Sequence, residues 1–184
     1  MVTVTDNIIR LNSYSRSGAP MKEVLAIVVH WTAAPMQRAI HTRNYFNTMS
    51  SQYGSAHYIV DLDGSIIRCI PENEVAWHCG SSLQDPASGK IYTDMARYYF
   101  PQYVTGNTSP NFCSIGIEMC CTDSDGSIEQ RTLDSCMLLC KELVAKYPQA
   151  VMITHNEIVG WKDCPRLFVR QPNVYKSFIK RVRN

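Results

Sequence analysis

The chain has 184 residues, of which 45% are hydrophobic and 18% are charged, and its formal net charge is +2. A chain of this length folds most simply as one domain, and its composition excludes a disordered or low-complexity protein. The small net charge excludes the polybasic surface that nucleic-acid binding depends on, so we expect no nucleic-acid partner.

The first residues carry neither the pattern of a secretory signal nor that of a membrane anchor. The segment MVTVTDNIIRLNSYSRSG has no basic flank followed by an apolar stretch, and the longest aliphatic run, LAIVV, is far too short to span a bilayer. We therefore expect synthesis in the cytoplasm, no membrane partner, and an irregular N-terminal arm over residues 1–22.

The next segments alternate between strand and helix patterns. EVLAIVVH is typical of a strand that is covered on both faces. MQRAIHTRNYFNTM predicts a helix that begins near Pro35 and has Ile40, Tyr45 and Met49 on one face. AHYIVDLDGSIIRCI predicts a β-hairpin, with its turn at the sequence DG.

The second half continues the alternation after a long loop with a short helix, which we expect from Ser81 to Pro110. FCSIGIEMCC predicts a buried strand, SIEQRTLDSCMLLCKELVAKY an amphipathic helix, AVMIT a further strand, and QPNVYKSFIKRVR a closing helix. The pattern predicts an α/β fold: one domain over residues 1–184, with a central mixed β-sheet flanked by helices. Sheets of this kind bind ligands at the ends of their strands.

The cysteine count is even, which could indicate a disulfide framework. Because no secretory signal is present, we expect reduced and mostly buried thiols instead. The eight positions are Cys69, Cys79, Cys113, Cys120, Cys121, Cys136, Cys140 and Cys164.

Two histidines and one cysteine are candidate metal ligands. His30 and His155 each follow an apolar strand, and Cys164 lies in an irregular loop that contains Gly160 and is closed by Pro165. Such a loop can fold the thiol back toward the imidazole. Two imidazoles and a thiolate are ligands that zinc favours, and three protein ligands leave a fourth position for water. Hydrogen-bonded histidines and one more buried thiol are the alternative.

Two other side chains could supply acid–base and electrostatic chemistry. Glu118 lies inside an apolar strand, where an ionised carboxylate is costly unless it has a partner, so it is a candidate for proton transfer. Lys162 could stabilise negative charge that develops in a transition state. A partly exposed strand residue or a structural ion pair for Glu118, and a solvated side chain for Lys162, are the alternatives.

Three residues are candidates for substrate contact. Trp77 and His78 are adjacent in EVAWHCGSS, a combination that suits a sugar or peptide groove and equally suits a packed indole beside a hydrogen-bonded imidazole. His57 opens the hairpin and could contact substrate or bond across the sheet. His41, in the early helix, is expected on the surface.

Four segments resemble, in the same order, successive blocks of the zinc-dependent N-acetylmuramoyl-L-alanine amidases of the amidase-2 type. This family includes phage endolysins, bacterial autolysins and animal peptidoglycan recognition proteins. The blocks are IVVHWTAAP, SAHYIVDLDGSIIRCIPENEVAWHCGSS, NFCSIGIEMC and THNEIVGWKDCPR. The resemblance runs from about Tyr14 to Phe168, and the NSYSRSGAP arm also looks like the start of phage and prophage members.

The resemblance implies one zinc ion per chain, with three ligands: His30, His155 and Cys164. It also implies catalytic roles for Glu118 and Lys162. A phage lysozyme branch of the family has a tyrosine directly before the histidine of the second block, where this chain has Ala56, so proton transfer is expected from Glu118. Members that bind peptidoglycan without cutting it typically lack the cysteine, and Cys164 therefore favours an enzyme.

The implied reaction is hydrolysis of the amide between N-acetylmuramic acid and the L-alanine of the peptidoglycan stem peptide. Trp77, His78 and the segment from Tyr98 to Tyr103 are expected to form the groove wall. The implied role is a phage or prophage lysin, released through a holin and without a separate wall-binding domain. Three alternatives stay open: a non-catalytic peptidoglycan-binding module, a cytoplasmic muropeptide-recycling amidase, and a peptidase with Cys164 as nucleophile.

Overall fold

A six-stranded sheet forms the centre of the computed structural model, which describes residues 2–105 and 108–184. Its strands are β1 (Val4–Asp6), β2 (Ala26–Trp31), β3 (Tyr58–Val60), β4 (Ile66–Arg68), β5 (Ser114–Met119) and β6 (Val151–Thr154). They pair in the order β1-β4-β3-β5-β2-β6. The β3–β4 pair is antiparallel and the other four pairs are parallel, so the sheet is mixed, as predicted.

Helices flank this sheet. They are α1 (Ala39–Thr48), α2 (Asp94–Tyr99), α3 (Gln130–Lys146), α4 (His155–Ile158), α5 (Arg166–Arg170) and α6 (Pro172–Arg183), with a 3₁₀ helix over Pro110–Cys113. Within the described residues, none of them has the length and apolar character needed to cross a membrane. The predicted α/β architecture is confirmed. The predicted loop over 81–110 contains the short helix α2. Its residues Gly106 and Asn107 lie outside the described part of the chain.

One face of the sheet carries the larger apolar core. Ile27 of β2 and Ile115 and Ile117 of β5 belong to one buried cluster, together with Leu139 and Leu143 of α3. Burying an aliphatic side chain of this size contributes about 1.5–3 kcal/mol. This packing holds α3 against the two central strands.

The alternate residues of β2 and β5 lie on the opposite face, because successive side chains of a strand point to opposite sides. Three register pairs place them side by side: Ala26 with Ser114, Val28 with Gly116, and His30 with Glu118. On this face, the side chains of β2 end with the imidazole of His30, and those of β5 end with the carboxylate of Glu118. The register therefore brings two polar groups together near the carboxyl ends of the parallel strands.

The β3–β4 hairpin turns at Gly64, as predicted. Gly64 has a φ of +83°, in the left-handed region that favours glycine. Its N–H donates to the carbonyl of Asp61 at 3.0 Å, and the N–H of Ser65 donates to the carboxylate of Asp63 at 2.9 Å. Local turn chemistry thus accounts for this connection.

The N-terminal arm is more regular than predicted. Residues 1–22 were expected to be irregular, but Val4–Asp6 forms β1 and pairs in parallel with β4. Three residues are too few to show a periodic pattern. Pairing with the exposed edge of β4 decides their conformation.

Helix α1 also differs from its prediction. It begins at Ala39 and not near Pro35, and its buried residues are Ala39, Thr42 and Phe46. The predicted face was wrong, because Ile40 and Tyr45 are exposed. His41 is exposed, as predicted. The predicted burial of the cysteines is confirmed for seven thiols. The thiol of Cys164 is half-buried.

Replacement of Gly64 by alanine is expected to lower the free energy of unfolding by about 2 kcal/mol. A left-handed non-glycine residue costs about 1–2 kcal/mol, and the new Cβ would lie 2.8 Å from Oγ of Ser135 and 3.0 Å from the carbonyl oxygen of Arg131. Urea denaturation measures the loss. Gly89→Ala is the matched control, because Gly89 has a φ of +66° and its Cβ would meet nothing within 4 Å. An equal loss in both variants would contradict the proposed contact.

Candidate metal centre

Three elements bring His30, His155 and Cys164 together. His30 lies near the end of β2, and His155 begins α4 directly after β6, the neighbour of β2 in the sheet. Cys164 lies between α4 and α5. The candidate ligand atoms of these residues all lie within 4.8 Å of one another. Residues that are far apart in the sequence therefore meet at one point.

The loop between His155 and Cys164 is closed by hydrogen bonds from Asn156. The backbone N–H of Asn156 donates to the carbonyl of Cys164 at 2.9 Å. Its side-chain amide donates to the carbonyls of Gly160 and Lys162, both at 2.9 Å. One asparagine thus folds the cysteine back beside the histidine.

The start of α4 is held by a capping box. The Thr154 hydroxyl accepts the N–H of Glu157, and the Glu157 carboxylate accepts the N–H of Thr154 at 2.8 Å. The hydroxyl of Tyr175 also donates to this carboxylate at 2.8 Å. These contacts fix the backbone at His155.

The imidazole of His30 lies between three potential partners. Its Nδ1 is 3.7 Å from the Sγ of Cys164, and its Nε2 is 3.0 Å from the Nδ1 of His78. Its ring centroid is 4.8 Å from that of His155. The Nε2 of His155 is buried and has no hydrogen-bond partner among the described residues. A buried nitrogen without a partner is costly, and a metal ion at this point would satisfy it.

Burial dominates the electrostatics of these groups. It lowers the pKa of His155 to about 3, and the charge of Lys162 lowers it further. Burial also holds the pKa of His30 well below its usual value and raises the pKa of the Cys164 thiol. Both imidazoles are therefore neutral and can donate lone pairs, whereas the thiol must lose its proton when a metal binds.

Glu118 lies beside this group. It pairs with His30 in the sheet register, and its Oε2 is buried without a hydrogen-bond partner among the described residues. Burial raises the pKa of the carboxyl to about 8. Of the two alternatives that the sequence left open for Glu118, partial exposure is found, since the residue as a whole is half-buried. No structural ion pair of Glu118 is found in the described part of the chain.

Lys162 places a positive charge near the same point. Its Nζ lies 4.2 Å from the centroid of the Trp161 ring, a cation–π distance. Its charge contributes to the lowered pKa of both His30 and His155. The indole of Trp161 thus helps to keep the ammonium group close to the two imidazoles, a contact that sequence reasoning missed.

A cleft of about 1560 Å³ opens above these residues. The candidate ligands, Glu118 and Lys162 line it, as do Trp77 and His78. Residues of the N-terminal arm also line it, which the sequence did not predict: Leu11, Asn12, Ser13, Arg16 and Ser17. The hydroxyl of Ser55 donates to the carbonyl of Ser15 at 2.7 Å and accepts the N–H of Trp77 at 2.8 Å. One serine therefore joins the arm to the tryptophan.

One residue and one segment that were expected to contact the substrate lie outside the cleft lining. His57 is fully buried, with Nε2 bonded to the carbonyl of Glu74 and Nδ1 accepting the N–H of Gly116, both at 3.0 Å. A substrate contact by His57 would require this ring to become exposed. No residue from Tyr98 to Tyr103 lines the cleft: Phe100 is buried in a separate core cluster, and Tyr98 faces solvent.

Comparisons with known proteins are consistent with this geometry. A family model described as N-acetylmuramoyl-L-alanine amidase, Amidase_2, matches residues 20–167. A "Probable N-acetylmuramoyl-L-alanine amidase" of Bacillus licheniformis is 33% identical over 187 residues, which cover 99% of this chain and 48% of the relative. The N-acetylmuramoyl-L-alanine amidase BlyA of Bacillus subtilis (strain 168) is 32% identical and covers 100% of this chain and 47% of its own length. The chain spans about half the length of the curated relatives it matches.

Solved structures share the fold. A mutant endolysin from Bacillus subtilis superposes with a TM-score of 0.69 at 26% identity, covering 97% of this chain and 99% of that one. The catalytic domain of XlyA gives the same TM-score and coverage at 25% identity. The mixed sheet flanked by helices is thus an architecture already seen in this group.

Replacement of Cys164 by serine is expected to weaken binding of a divalent metal ion by more than about 100-fold. Loss of a residue that only hydrogen-bonds to a metal ligand already lowers metal affinity by about 10–100-fold, and loss of a ligand should lower it further. Competition between the protein and a chromophoric chelator for Zn²⁺ measures the change. Cys136→Ser is the matched control, since Cys136 is a buried thiol in α3, on the opposite face of the sheet. Unchanged affinity in Cys164→Ser would exclude the thiol as a ligand.

Proposed function

The chain belongs to the N-acetylmuramoyl-L-alanine amidase family, Amidase_2, and from this premise we propose that it hydrolyses the amide between N-acetylmuramic acid and L-alanine in peptidoglycan. We propose one zinc ion per chain, held by His30, His155 and Cys164. The observation that carries the proposal is the convergence of these three side chains beside the buried Oε2 of Glu118, within one cleft.

The donor set fits zinc. Two neutral imidazoles and one thiol are present, and the unpartnered Nε2 of His155 lies among them. Three protein ligands are typical of catalytic zinc sites, which keep one position open. When bound, the ion supplies Lewis-acid polarisation of a carbonyl and lowers the pKa of water.

Glu118 supplies the proton transfers of the proposed reaction. Its Oε2 has no competing hydrogen bond among the described residues, so it is free to accept a proton from the attacking water. The same carboxyl group then returns the proton to the departing amine, which is a poor leaving group as an anion. Burial raises the pKa of this carboxyl group to about 8. The first transfer requires the ionised carboxylate, which is the minority form below that pH, and the second requires the protonated form, which the raised pKa favours.

Lys162 stabilises the negative charge that develops on the carbonyl oxygen of the scissile amide. Its charge contributes to the lowered pKa of His30 and of His155. The centroid of the Trp161 ring lies 4.2 Å from the ammonium nitrogen and restricts where this group can lie. A fixed cation in a partly buried cleft is more effective than one in bulk water.

The cleft offers an aromatic wall for the peptidoglycan substrate. The ring centroid of Tyr53 lies 5.5 Å from that of Trp77, and both residues line the cleft. Tyr53 is 67% exposed, so its ring is available to a ligand. A substrate contact by Trp77 and by His78 stays a prediction.

A role as a phage or prophage lysin is supported by the endolysin among the structural neighbours. In this role the protein acts on the cell wall after holin-mediated release. A cytoplasmic muropeptide-recycling amidase would instead prefer small soluble fragments, so relative rates on intact walls and on soluble muropeptides separate the two roles.

A cysteine peptidase is disfavoured by the state of its required nucleophile. Catalytic cysteines have a lowered pKa, whereas burial raises the pKa of Cys164. The half-buried thiol is suited to metal ligation and poorly suited to attack on a substrate.

Incubation with purified peptidoglycan is expected to release stem peptides with a free L-alanine amine, which mass spectrometry of the digest identifies. A chelator should abolish the release and added Zn²⁺ should restore it. Retention on the walls without cleavage would identify a binding module and overturn the proposed function.

Replacement of Glu118 by glutamine is expected to reduce the hydrolysis rate by about 100- to 10,000-fold, the usual contribution of a positioned acid–base group. Zinc content and thermal stability should stay near wild type, because the amide keeps the volume of the carboxyl group. Glu129→Gln serves as the control, since Glu129 is a partly exposed carboxylate whose side chain lies 4.0 Å from Arg131. Wild-type turnover in Glu118→Gln would refute the proton-transfer role.

A further inference from the structure

The hydrogen bonds of Ser114 determine where His78 carries its hydrogen. The hydroxyl of Ser114 donates its one hydrogen to the carbonyl of Pro110 at 2.6 Å. Toward the Nε2 of His78 at 3.2 Å it can therefore only accept, and the carbonyl of Ser114, 3.3 Å from the same nitrogen, is an acceptor by nature. The thiol of Cys79 lies 3.3 Å from the hydroxyl and 3.5 Å from the Oδ1 of Asn111, to which it can donate, so it does not require the hydroxyl hydrogen. The Nε2 of His78 thus bears a hydrogen.

The position of the hydrogen on His78 determines the position of the hydrogen on His30. A neutral His78 with its hydrogen on Nε2 has an acceptor at Nδ1, and this atom lies 3.0 Å from the Nε2 of His30. The Nε2 of His30 must then donate. Its Nδ1, 3.7 Å from the Sγ of Cys164, then has a lone pair, which can accept the thiol hydrogen in the metal-free chain.

We propose that His78 is a positioning residue: through its hydrogen bond it selects the tautomer of His30 whose Nδ1 is ready to bind the metal ion. The inference rests on the metal site of the proposed function, and it gives His78 a role different from the groove contact expected from the sequence. His78 acts on the substrate reaction only through His30.

The opposite arrangement is unfavourable. A cationic His78 would also bear a hydrogen on Nδ1 and would make the Nε2 of His30 an acceptor. A hydrogen would then occupy the Nδ1 of His30 and point toward Cys164. Both residues are buried, with exposed fractions of 2% for His30 and 9% for His78. Burying a charged imidazolium in such a place costs free energy.

The surrounding chain is shaped to hold the ring of His78. A Cβ on Gly116 would lie 2.5 Å from the Cγ of His78, so only glycine leaves room for the ring over β5. The side-chain oxygen of Asn111 accepts the backbone N–H of His78 at 2.9 Å. The ring of His57 stands edge-on at 5.9 Å and is itself bonded to the N–H of Gly116. Three residues, Gly116, Asn111 and His57, thus restrict the imidazole that orients His30.

Zinc affinity tests the proposal with three variants of the full-length chain. His78→Leu removes the acceptor and is expected to weaken Zn²⁺ binding by about 10–100-fold in chelator competition. His78→Asn should retain most of the affinity, because its amide oxygen is as many bonds from Cα as the Nδ1 of histidine. His41→Asn, at an exposed site in α1, is the control for loss of a histidine. Equal affinity of His78→Leu and wild type would overturn the proposal.

The tautomer itself can be observed in metal-free protein by long-range ¹H–¹⁵N NMR of the imidazoles. Wild type and His78→Asn should show His30 with its hydrogen on Nε2, whereas His78→Leu should show a mixture. A hydrogen on Nδ1 of His30 in wild type would overturn the proposal. This measurement uses neither metal nor substrate. The predicted tautomer in a chain that fails to cut peptidoglycan would therefore support the inference and count against the proposed function alone.

Discussion

The parallel register between β2 and β5 is the constraint on which the site depends. It sets His30 directly beside Glu118 and leaves Gly116 two residues earlier, where the ring of His78 fits. A shift of one residue would turn the polar row of either strand toward α3 and its apolar cluster. The apolar packing of Ile27 and Ile115 against α3 therefore holds the register that the chemistry needs.

The same arrangement accepts a cost in stability. The Oε2 of Glu118 and the Nε2 of His155 are buried without hydrogen-bond partners among the described residues, and each such group destabilises the metal-free fold. An ion that binds the folded chain alone shifts the folding equilibrium in its favour. Binding of the proposed ion would therefore be coupled to folding at this edge of the sheet, and the rest of the core must be stable enough to hold the site in the metal-free chain.

The cleft is assembled from segments that are distant in the chain. The arm near Ser15 is joined through Ser55 to Trp77, and the loop after His155 is closed by Asn156. Each junction is a hydrogen bond between a short polar side chain and backbone. Such bonds are directional, so they place side chains with a precision that apolar packing alone does not supply.

The sequence by itself determined the central strands, the long helix and the β3–β4 turn, because their periodicity and turn chemistry are local. The order of four blocks also indicated which histidines and cysteine belong together. Only the tertiary structure decided that Val4–Asp6 joins the sheet, that α1 buries Phe46, that the arm lines the cleft and the segment from Tyr98 to Tyr103 does not, and that His78 contacts His30. These outcomes depend on which distant segments meet. A short strand, a lone imidazole or an aromatic loop carries no local signal of its partner, so contact across the fold decides its role.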